Sequence, residues 1–282
     1  MSDAKIKLPD FVIIGSMKSG TTSIWSALKQ HKDIYLGNVK ELNLLSQADK
    51  TDDYILRQYS RYFRAAKPEQ LKGEASTDYT KIYQYTDVHL RADRLLKKST
   101  KFIYILRDPV ERIESQYNYY YNLSGGNIQQ PLEWLKSHHQ DIKIGAYSQV
   151  MERWLAVFPA ERFLLLRFED FRDNPESALN EITRFLKIPP LTQHNLMVKN
   201  KSANQFVRLG SIFDKIARSS PVRYYIRPLI PEGIEKLLMK ALFRPAVHGQ
   251  AIFFDEECRR YIVDVLKIAD FELHATLRLD HD

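Results

Sequence analysis

The sequence predicts an α/β fold in which helices cover both faces of a parallel, five-stranded sheet. Five short apolar segments recur along the chain, and residues with helical spacing separate each segment from the next. Strands that are buried on both faces form uninterrupted apolar runs, whereas half-exposed strands alternate. The succession of strand and helix further favours parallel strands joined by helical crossovers. We therefore expect a three-layer sandwich, helix on sheet on helix, with a helical C-terminal part.

The first strand and the turn after it predict an anion-binding loop. The apolar run leads into Gly15, and Gly20 precedes a helix predicted over residues 22–31. A helix N-terminus offers unpaired N–H groups and a positive dipole end, and Lys18 adds a cation within the loop. The spacing is similar to that of a nucleotide-binding P-loop, except that Thr21 stands where the P-loop lysine belongs. A surface turn with a chance lysine is the alternative.

The rest of the chain supplies the other strands and helices. The remaining strands are predicted at residues 34–36, 71–74, 101–106 and 162–167. Helices are predicted at residues 51–63, 87–96, 110–121, 131–136, 144–158 and 174–186, and then around 212–217, 232–242 and 255–269. A polar stretch at residues 189–204 separates the two groups of helices. A single domain over residues 1–282 is the simplest organisation, with a core at 10–205 and a helical elaboration at 206–282.

Charge and composition favour an anionic ligand. The 282 residues include 42 lysines and arginines against 35 aspartates and glutamates, which gives a net charge of +7. No zinc-finger spacing or RNA-binding signature points to nucleic acid as a partner. The only cysteine is Cys258, and we find no apolar run of membrane-spanning length and no signal peptide. We therefore expect a cytoplasmic protein without a disulfide framework.

A second anion site is predicted at the end of the fourth strand. Arg107 follows this strand directly, and Ser115 lies about two turns along the next helix. An ion pair between Arg107 and Asp108 or another carboxylate is the alternative. Together with the first loop, these residues predict a nucleotide with phosphates at two separate places. An arginine at this strand end, in place of an aspartate, argues against a magnesium-dependent nucleotide hydrolase.

These two motifs resemble those of the sulfotransferases that use 3′-phosphoadenosine 5′-phosphosulfate (PAPS). The loop from Gly15 to Thr22 resembles their 5′-phosphosulfate loop, and Arg107 with Ser115 resembles their 3′-phosphate motif. The resemblance spans roughly residues 10–205. It implies a P-loop-like α/β sandwich and PAPS as the co-substrate, with no metal ion.

The resemblance also implies roles for individual residues. Lys18 would stabilise charge on the departing phosphate, and Arg107 with Ser115 would hold the 3′-phosphate. The 5′-phosphate would be held by the loop, whose residues are Gly15, Ser19, Gly20, Thr21 and Thr22. Asn200, Lys201 and Ser202 lie where the family often closes a loop over the nucleotide.

The acceptor also needs a base. The cytosolic branch of the family has a histidine after the third strand, where this chain has none, whereas the heparan-sulfate-type branch has a Lys-Glu motif that Lys40 and Glu41 match. We therefore expect Glu41 to be the base and Lys40 to neutralise the sulfuryl group. A pair of charged residues on a solvated turn is the alternative. Glu74 and Asp78 are second candidates for the base or for acceptor binding, and Tyr147 is a candidate for acceptor binding.

The sequence thus predicts a PAPS-dependent sulfotransferase that acts on a hydroxyl or amine of a glycan, a lipid or a small molecule. A P-loop kinase or nucleotide hydrolase is the closest enzymatic alternative. A non-catalytic relative that binds anionic glycans is another. The sequence does not predict the acceptor or the oligomeric state.

Overall fold

A parallel sheet of five strands forms the centre of the computed structural model, which describes residues 6–191, 206–208, 243–245 and 251–276. The strand order is β2-β3-β1-β4-β5, and all four strand pairs are parallel. The strands are β1 (Phe11–Gly15), β2 (Ile34–Tyr35), β3 (Leu71–Ala75), β4 (Lys101–Leu106) and β5 (Phe163–Arg167). The predicted α/β fold with five parallel strands is confirmed.

Eleven helices are described, and most of them connect the strands. They are α1 (Thr21–Leu28), α2 (Asp52–Tyr62), α3 (Val88–Leu95), α4 (Pro109–Leu123), α5 (Pro131–Ser137), α6 (His139–Ile142), α7 (Tyr147–Leu155), α8 (Phe168–Asp173), α9 (Pro175–Leu186), α10 (Glu256–Val265) and α11 (Ile268–Thr276). A short antiparallel pair, β6 (Phe206–Arg208) with β7 (Phe243–Pro245), is separate from the main sheet. In the described segments, no helix has both the length and the apolar character needed to span a membrane.

The sheet is buried on both faces because successive side chains of a strand point to opposite sides. In β4, Phe102 and Tyr104 pack into the cluster that contains α2, α3 and α7, whereas Ile103 and Ile105 pack into the cluster that contains α1 and α9. All four side chains are fully buried. This burial explains why β1 and β4 are largely continuous apolar runs in the sequence.

The strand order brings three strand ends together at one edge of the sheet. After β3 the chain crosses to the other side of β1 to form β4. The carboxyl ends of β3, β1 and β4 therefore lie side by side, where open α/β sheets bind ligands.

The C-terminal helices differ from the predicted pattern. The predicted helix at 255–269 is wrong as a single element, because Leu266 adopts extended backbone angles that end α10 before α11 begins. The short helix α8 has no counterpart among the predicted helices. The helices predicted around 212–217 and 232–242 lie outside the described residues.

Candidate active site

The loop between β1 and α1 is held against β4. Ser16 is fully buried, and its backbone N–H and hydroxyl both donate to the carbonyl oxygen of Ile105, over 2.8 and 3.0 Å. The hydroxyl oxygens of Ser16 and Ser19 lie 2.6 Å apart. Because these contacts are buried, the neighbouring strand determines the path of the loop.

The two loop glycines stand where a side chain would not fit. A Cβ atom on Gly15 would lie 2.4 Å from Oγ1 of Thr80, and one on Gly20 would lie 2.9 Å from the ring of Phe168. Gly20 has a φ of +77°, and as the N-cap of α1 it supplies no capping side chain. No side chain of Gly20 therefore accepts a hydrogen bond from the first N–H groups of α1. Uncapped N–H groups at a helix start favour the binding of an anion there.

Lys18 lies at the tip of this loop. Its Nζ atom lies 4.6 Å from the ring centroid of Tyr119 on α4. Among the described residues, no carboxylate lies within ion-pair distance of Nζ. Burial, together with the positive charges of Arg107 and Arg112, lowers the pKa of Lys18 to about 8. A negatively charged ligand would relieve both effects.

Arg107 connects the end of β4 to the loop. One terminal nitrogen donates to the backbone carbonyl of Lys18 over 3.1 Å, and the other lies 3.3 Å from a carboxylate oxygen of Glu111. The guanidinium stacks 4.6 Å from the ring centroid of Phe168. Its Nε atom is buried and has no hydrogen-bond partner in the part of the chain that the structure describes. Arg107 therefore has an N–H donor that the described residues leave unsatisfied.

Ser115 lies on the face of α4 that the two cations contact. Glu111, Ser115 and Tyr119 are spaced by four residues and so share one face of the helix. Arg107 contacts Glu111 at one end of this face, and Lys18 contacts Tyr119 at the other. The half-buried Ser115 is thus between them.

Tyr147 does not lie on an open surface. Its side chain is fully buried, and its hydroxyl donates to the backbone carbonyl of Arg107 over 2.8 Å. It also accepts the Arg107 backbone N–H at 3.4 Å. The structure places Tyr147 behind the arginine, where it holds the Arg107 backbone, and an acceptor could not contact this ring without a rearrangement.

Lys40 and Glu41 lie beside the end of β3. The backbone N–H of Glu41 donates to the carbonyl of Ala75 over 2.8 Å, and Oε2 accepts the backbone N–H of Thr77 over 2.7 Å. Oε1 forms a short ion pair with Nζ of Lys40. Glu41 also has a φ of +61° and is partly exposed. Such a backbone conformation is uncommon outside glycine and concentrates at functional sites.

The two secondary carboxylates have different surroundings. Glu74 on β3 is fully buried and accepts hydrogen bonds from three hydroxyls, so an acceptor cannot reach it in this conformation. Burial raises its pKa to about 7, and the nearby charge of Glu41 contributes to this increase. Asp78 forms a 2.6 Å ion pair with Lys81 at the edge of the same site.

Several contacts were not apparent from the sequence patterns. Tyr119, Phe168 and Thr77 contact Lys18, Arg107 and Glu41, respectively. The fully buried Arg112 donates to Oε1 of Gln116 over 2.7 Å. Of these residues, only Tyr119 could have been assigned to the site from the sequence, because its spacing of four residues from Ser115 places both on one face of a helix. Asn200, Lys201 and Ser202 lie outside the described residues.

Comparisons with known proteins relate this chain to sulfotransferases. The model of the sulfotransferase domain family matches residues 8–230. Carbohydrate sulfotransferase 15 of Mus musculus is 26% identical over 264 residues, with 70% of this chain and 47% of that protein covered. Heparan sulfate glucosamine 3-O-sulfotransferase 5 of Mus musculus is 25% identical, with 87% and 72% covered. The chain spans about half the length of the first of these relatives.

Solved structures of sulfotransferases share the fold. The sulfotransferase from Alicyclobacillus acidocaldarius has 25% identity and a TM-score of 0.56, over 70% of this chain and 86% of its own. The sulfotransferase domain from the curacin biosynthetic pathway has 17% identity and a TM-score of 0.51, over 92% and 97%, and this similarity concerns the fold alone. Since the family model matches most of the sequence, the chain belongs to the sulfotransferase domain family.

Proposed function

We propose that this protein transfers a sulfuryl group from PAPS to a hydroxyl or amine of an acceptor. The observation that carries this proposal is the hydrogen bond between Arg107 and the backbone of Lys18, which joins the two predicted anion sites. PAPS carries a 5′-phosphosulfate and a 3′-phosphate, so it matches a site with two anion-binding ends.

The residues present fit such a nucleotide. Gly15 and Gly20 let the loop backbone pass close to Thr80 and Phe168, where a Cβ atom would clash. Lys18 and the first N–H groups of α1 would hold the 5′-phosphosulfate, and the unpartnered Nε of Arg107 with the Ser115 hydroxyl would hold the 3′-phosphate. Asn200, Lys201 and Ser202 remain predicted nucleotide contacts.

Glu41 would act as the base in this reaction. The acceptor oxygen or nitrogen forms a bond to sulfur, the bond from sulfur to the 5′-phosphate oxygen breaks, and the acceptor proton passes to the Glu41 carboxylate. The products are the sulfated acceptor and 3′-phosphoadenosine 5′-phosphate. Lys18 would stabilise the charge that develops on the leaving oxygen, and Lys40 would neutralise the sulfuryl group. Thr77 and Lys40 hold the Glu41 carboxylate in place for this role.

The relatives support a glycan as one candidate acceptor class, since their names include carbohydrate and heparan sulfate sulfotransferases. A kinase or hydrolase is the competing enzymatic proposal and would need ATP. A non-catalytic glycan-binding protein is the competing proposal from another class. Its surface would bind acidic glycans, but it would transfer no sulfate.

The test is transfer of labelled sulfate from PAPS to a panel of hydroxyl and amine acceptors. We expect transfer by the wild type, a loss of at least about 100-fold in Lys18→Ala and Glu41→Gln, and full activity in the exposed control Glu69→Gln. Full activity in Glu41→Gln would remove Glu41 as the base while leaving the enzyme class intact. If the wild type binds the nucleotide but transfers sulfate to none of the acceptors, the non-catalytic proposal gains support.

A further inference from the structure

Glu74 is a buried carboxylate that the proposed reaction does not use. It lies near the carboxyl end of β3, two strands from the nucleotide-binding arginine, and its exposed fraction is 0%. A buried carboxylate is costly unless hydrogen bonds compensate for the lost hydration. The residues that form hydrogen bonds with Glu74 therefore indicate its role.

Three hydroxyls donate to this carboxylate. Oε1 accepts from Tyr59 at 2.6 Å and from Tyr79 at 2.9 Å, and Oε2 accepts from Ser76 at 3.3 Å. Above about pH 7, where the Glu74 carboxyl is ionised, it can only accept hydrogen bonds, so each hydroxyl points its proton at Glu74. The direction of every bond in this network is thus set by one charge.

Two of these hydroxyls also contact the backbone of the turn that follows Glu41. The N–H of Asn43 donates to Oγ of Ser76 over 3.0 Å, and the N–H of Leu45 donates to the hydroxyl of Tyr79 over 3.3 Å. A hydroxyl has a single proton, and in both Ser76 and Tyr79 that proton is donated in the hydrogen bond to Glu74. Their lone pairs are therefore free to accept the two N–H groups of the turn.

This turn needs external support. Glu41 has a φ of +61° and Asn43 a φ of +53°, in the left-handed region that costs a non-glycine residue about 1 kcal/mol or more. Such conformations persist only where the surroundings hold them. The hydrogen bonds from Asn43 and Leu45 to the Glu74 network are part of that support.

We propose that Glu74 is a positioning residue for Glu41: through Ser76 and Tyr79 it fixes the turn at residues 41–45 and hence the direction of the Glu41 carboxylate. This inference rests on the proposed role of Glu41 as the base. Among the described residues, the side chain of Glu74 forms hydrogen bonds with Tyr59, Tyr79 and Ser76.

Glu74→Gln tests the polarity of the network with almost no change in shape. The new amide NH₂ group is a donor, so it faces either the Ser76 hydroxyl or the two tyrosine hydroxyls. In either orientation, at least one hydroxyl loses its acceptor, and the new NH₂ group competes with a backbone N–H of the turn for a hydroxyl oxygen. We expect kcat to fall about tenfold or more, since a small misplacement of a reacting group has effects of this size, while KM for PAPS changes less than about twofold.

Two further variants separate positioning from general stability. Ser76→Ala removes a link between Glu74 and the turn, and we expect it to lower kcat as Glu74→Gln does. Tyr59→Phe removes a donor to Glu74 that forms no hydrogen bond with the turn in the part of the chain that the structure describes, so its effect on kcat should be several-fold smaller. Ser76→Ala also keeps the inference testable if Glu74→Gln does not fold.

Asp270→Asn is the matched control. Asp270 is also fully buried and accepts hydrogen bonds from the N–H and hydroxyl of Ser148 and the N–H of Lys267, all remote in the sequence from the turn. This variant should leave kcat within about twofold of the wild type, whatever its cost to stability.

Amide hydrogen exchange provides a readout that is independent of activity. In Glu74→Gln, we expect the amides of Asn43 and Leu45 to exchange at least tenfold faster, while the amide of Ile13 in β1 exchanges as in the wild type. Unchanged exchange at both turn amides, or an equal fall in kcat in Tyr59→Phe and Ser76→Ala, would overturn the inference. If exchange accelerates but Glu41→Gln remains fully active, the network is correct and the proposed role of Glu41 is the part that fails.

Discussion

The guanidinium of Arg107 donates a hydrogen bond to the backbone carbonyl of Lys18, over 3.1 Å and across 89 positions of the sequence. These residues follow β4 and β1, which are neighbours in the sheet. The contact makes one continuous cationic surface from two loops. Changes at either loop should therefore affect the affinity for the nucleotide.

Arg107→Ala and Ser115→Ala should abolish selectivity for the 3′-phosphate. We expect each variant to bind 3′-phosphoadenosine 5′-phosphate about 10- to 100-fold more weakly, because hydrogen bonds to charged groups contribute about 1.5–3 kcal/mol. Affinity for adenosine 5′-phosphate, which lacks the 3′ group, should change much less in Ser115→Ala. Calorimetric titration with both nucleotides measures this ratio. Equal losses for the two nucleotides in Ser115→Ala would contradict the assignment of Ser115.

Nucleotide affinity should decrease at alkaline pH. Burial lowers the pKa of Lys18 to about 8, so the free protein loses this charge as the pH rises above 8. The effect of Lys18 on affinity should be constant well below pH 8, and affinity should fall by up to about tenfold per pH unit above it, until the pKa of the bound state is reached. In Lys18→Arg the guanidinium stays charged, so the affinity of that variant should be independent of pH over this range. A pH-dependent loss of the same size in Lys18→Arg would assign the effect to another group.

Gly20→Ala should destabilise the protein more than Gly125→Ala. Both glycines have a positive φ, +77° and +68°, so both substitutions carry a backbone cost of about 1 kcal/mol. Only at Gly20 would the new Cβ lie 2.9 Å from the ring of Phe168, whereas it would meet nothing within 4 Å at Gly125. We expect Gly20→Ala to lower the free energy of unfolding by at least about 1 kcal/mol more, as measured by denaturant titration. Equal costs would mean that the Phe168 ring moves aside freely.

Glu74 should make the protein less stable as the pH rises from about 5 to about 7. The folded protein keeps the Glu74 proton up to about pH 7, while the unfolded chain loses it near pH 4.5. Between these values the folded state binds more protons, so the free energy of unfolding falls with increasing pH. Burial is the main cause of the raised pKa, to which the charge of Glu41 adds, whereas hydrogen bonds from the hydroxyls of Tyr59, Tyr79 and Ser76 lower it. Glu74→Gln has no such proton, so the stability of the wild type relative to this variant should decline over the interval. A constant difference would contradict the raised pKa.

Much of the fold could be predicted from the sequence because the central strands are buried on both faces. The apolar run at residues 101–106 matches β4 in its bounds. The order of the strands carries no comparable local signal, because pairing depends on crossovers between distant segments. The break at Leu266 between α10 and α11 was missed because the helical spacing continues across it.

The sequence predicted the site residues whose positions follow from backbone elements. It did not predict the contacts that depend on the packing of side chains from distant segments. Gly20, Lys18 and Arg107 could be found because a loop, a helix start and a strand end impose a spacing on them. Tyr147 was expected to face the acceptor, yet it supports the backbone of Arg107 from the interior. The contact between Lys18 and Tyr119 is set by how α4 packs on the loop, and such packing does not follow from spacing alone.

Calorimetric titration of the wild-type protein with 3′-phosphoadenosine 5′-phosphate, and separately with ATP and magnesium, tests the central claim most directly, since it needs no knowledge of the acceptor. Two anion sites joined by Arg107 and Lys18 predict that the bisphosphate nucleotide binds at least tenfold more tightly than ATP with magnesium. Tighter binding of ATP with magnesium, or no binding of 3′-phosphoadenosine 5′-phosphate, would contradict the proposed use of PAPS.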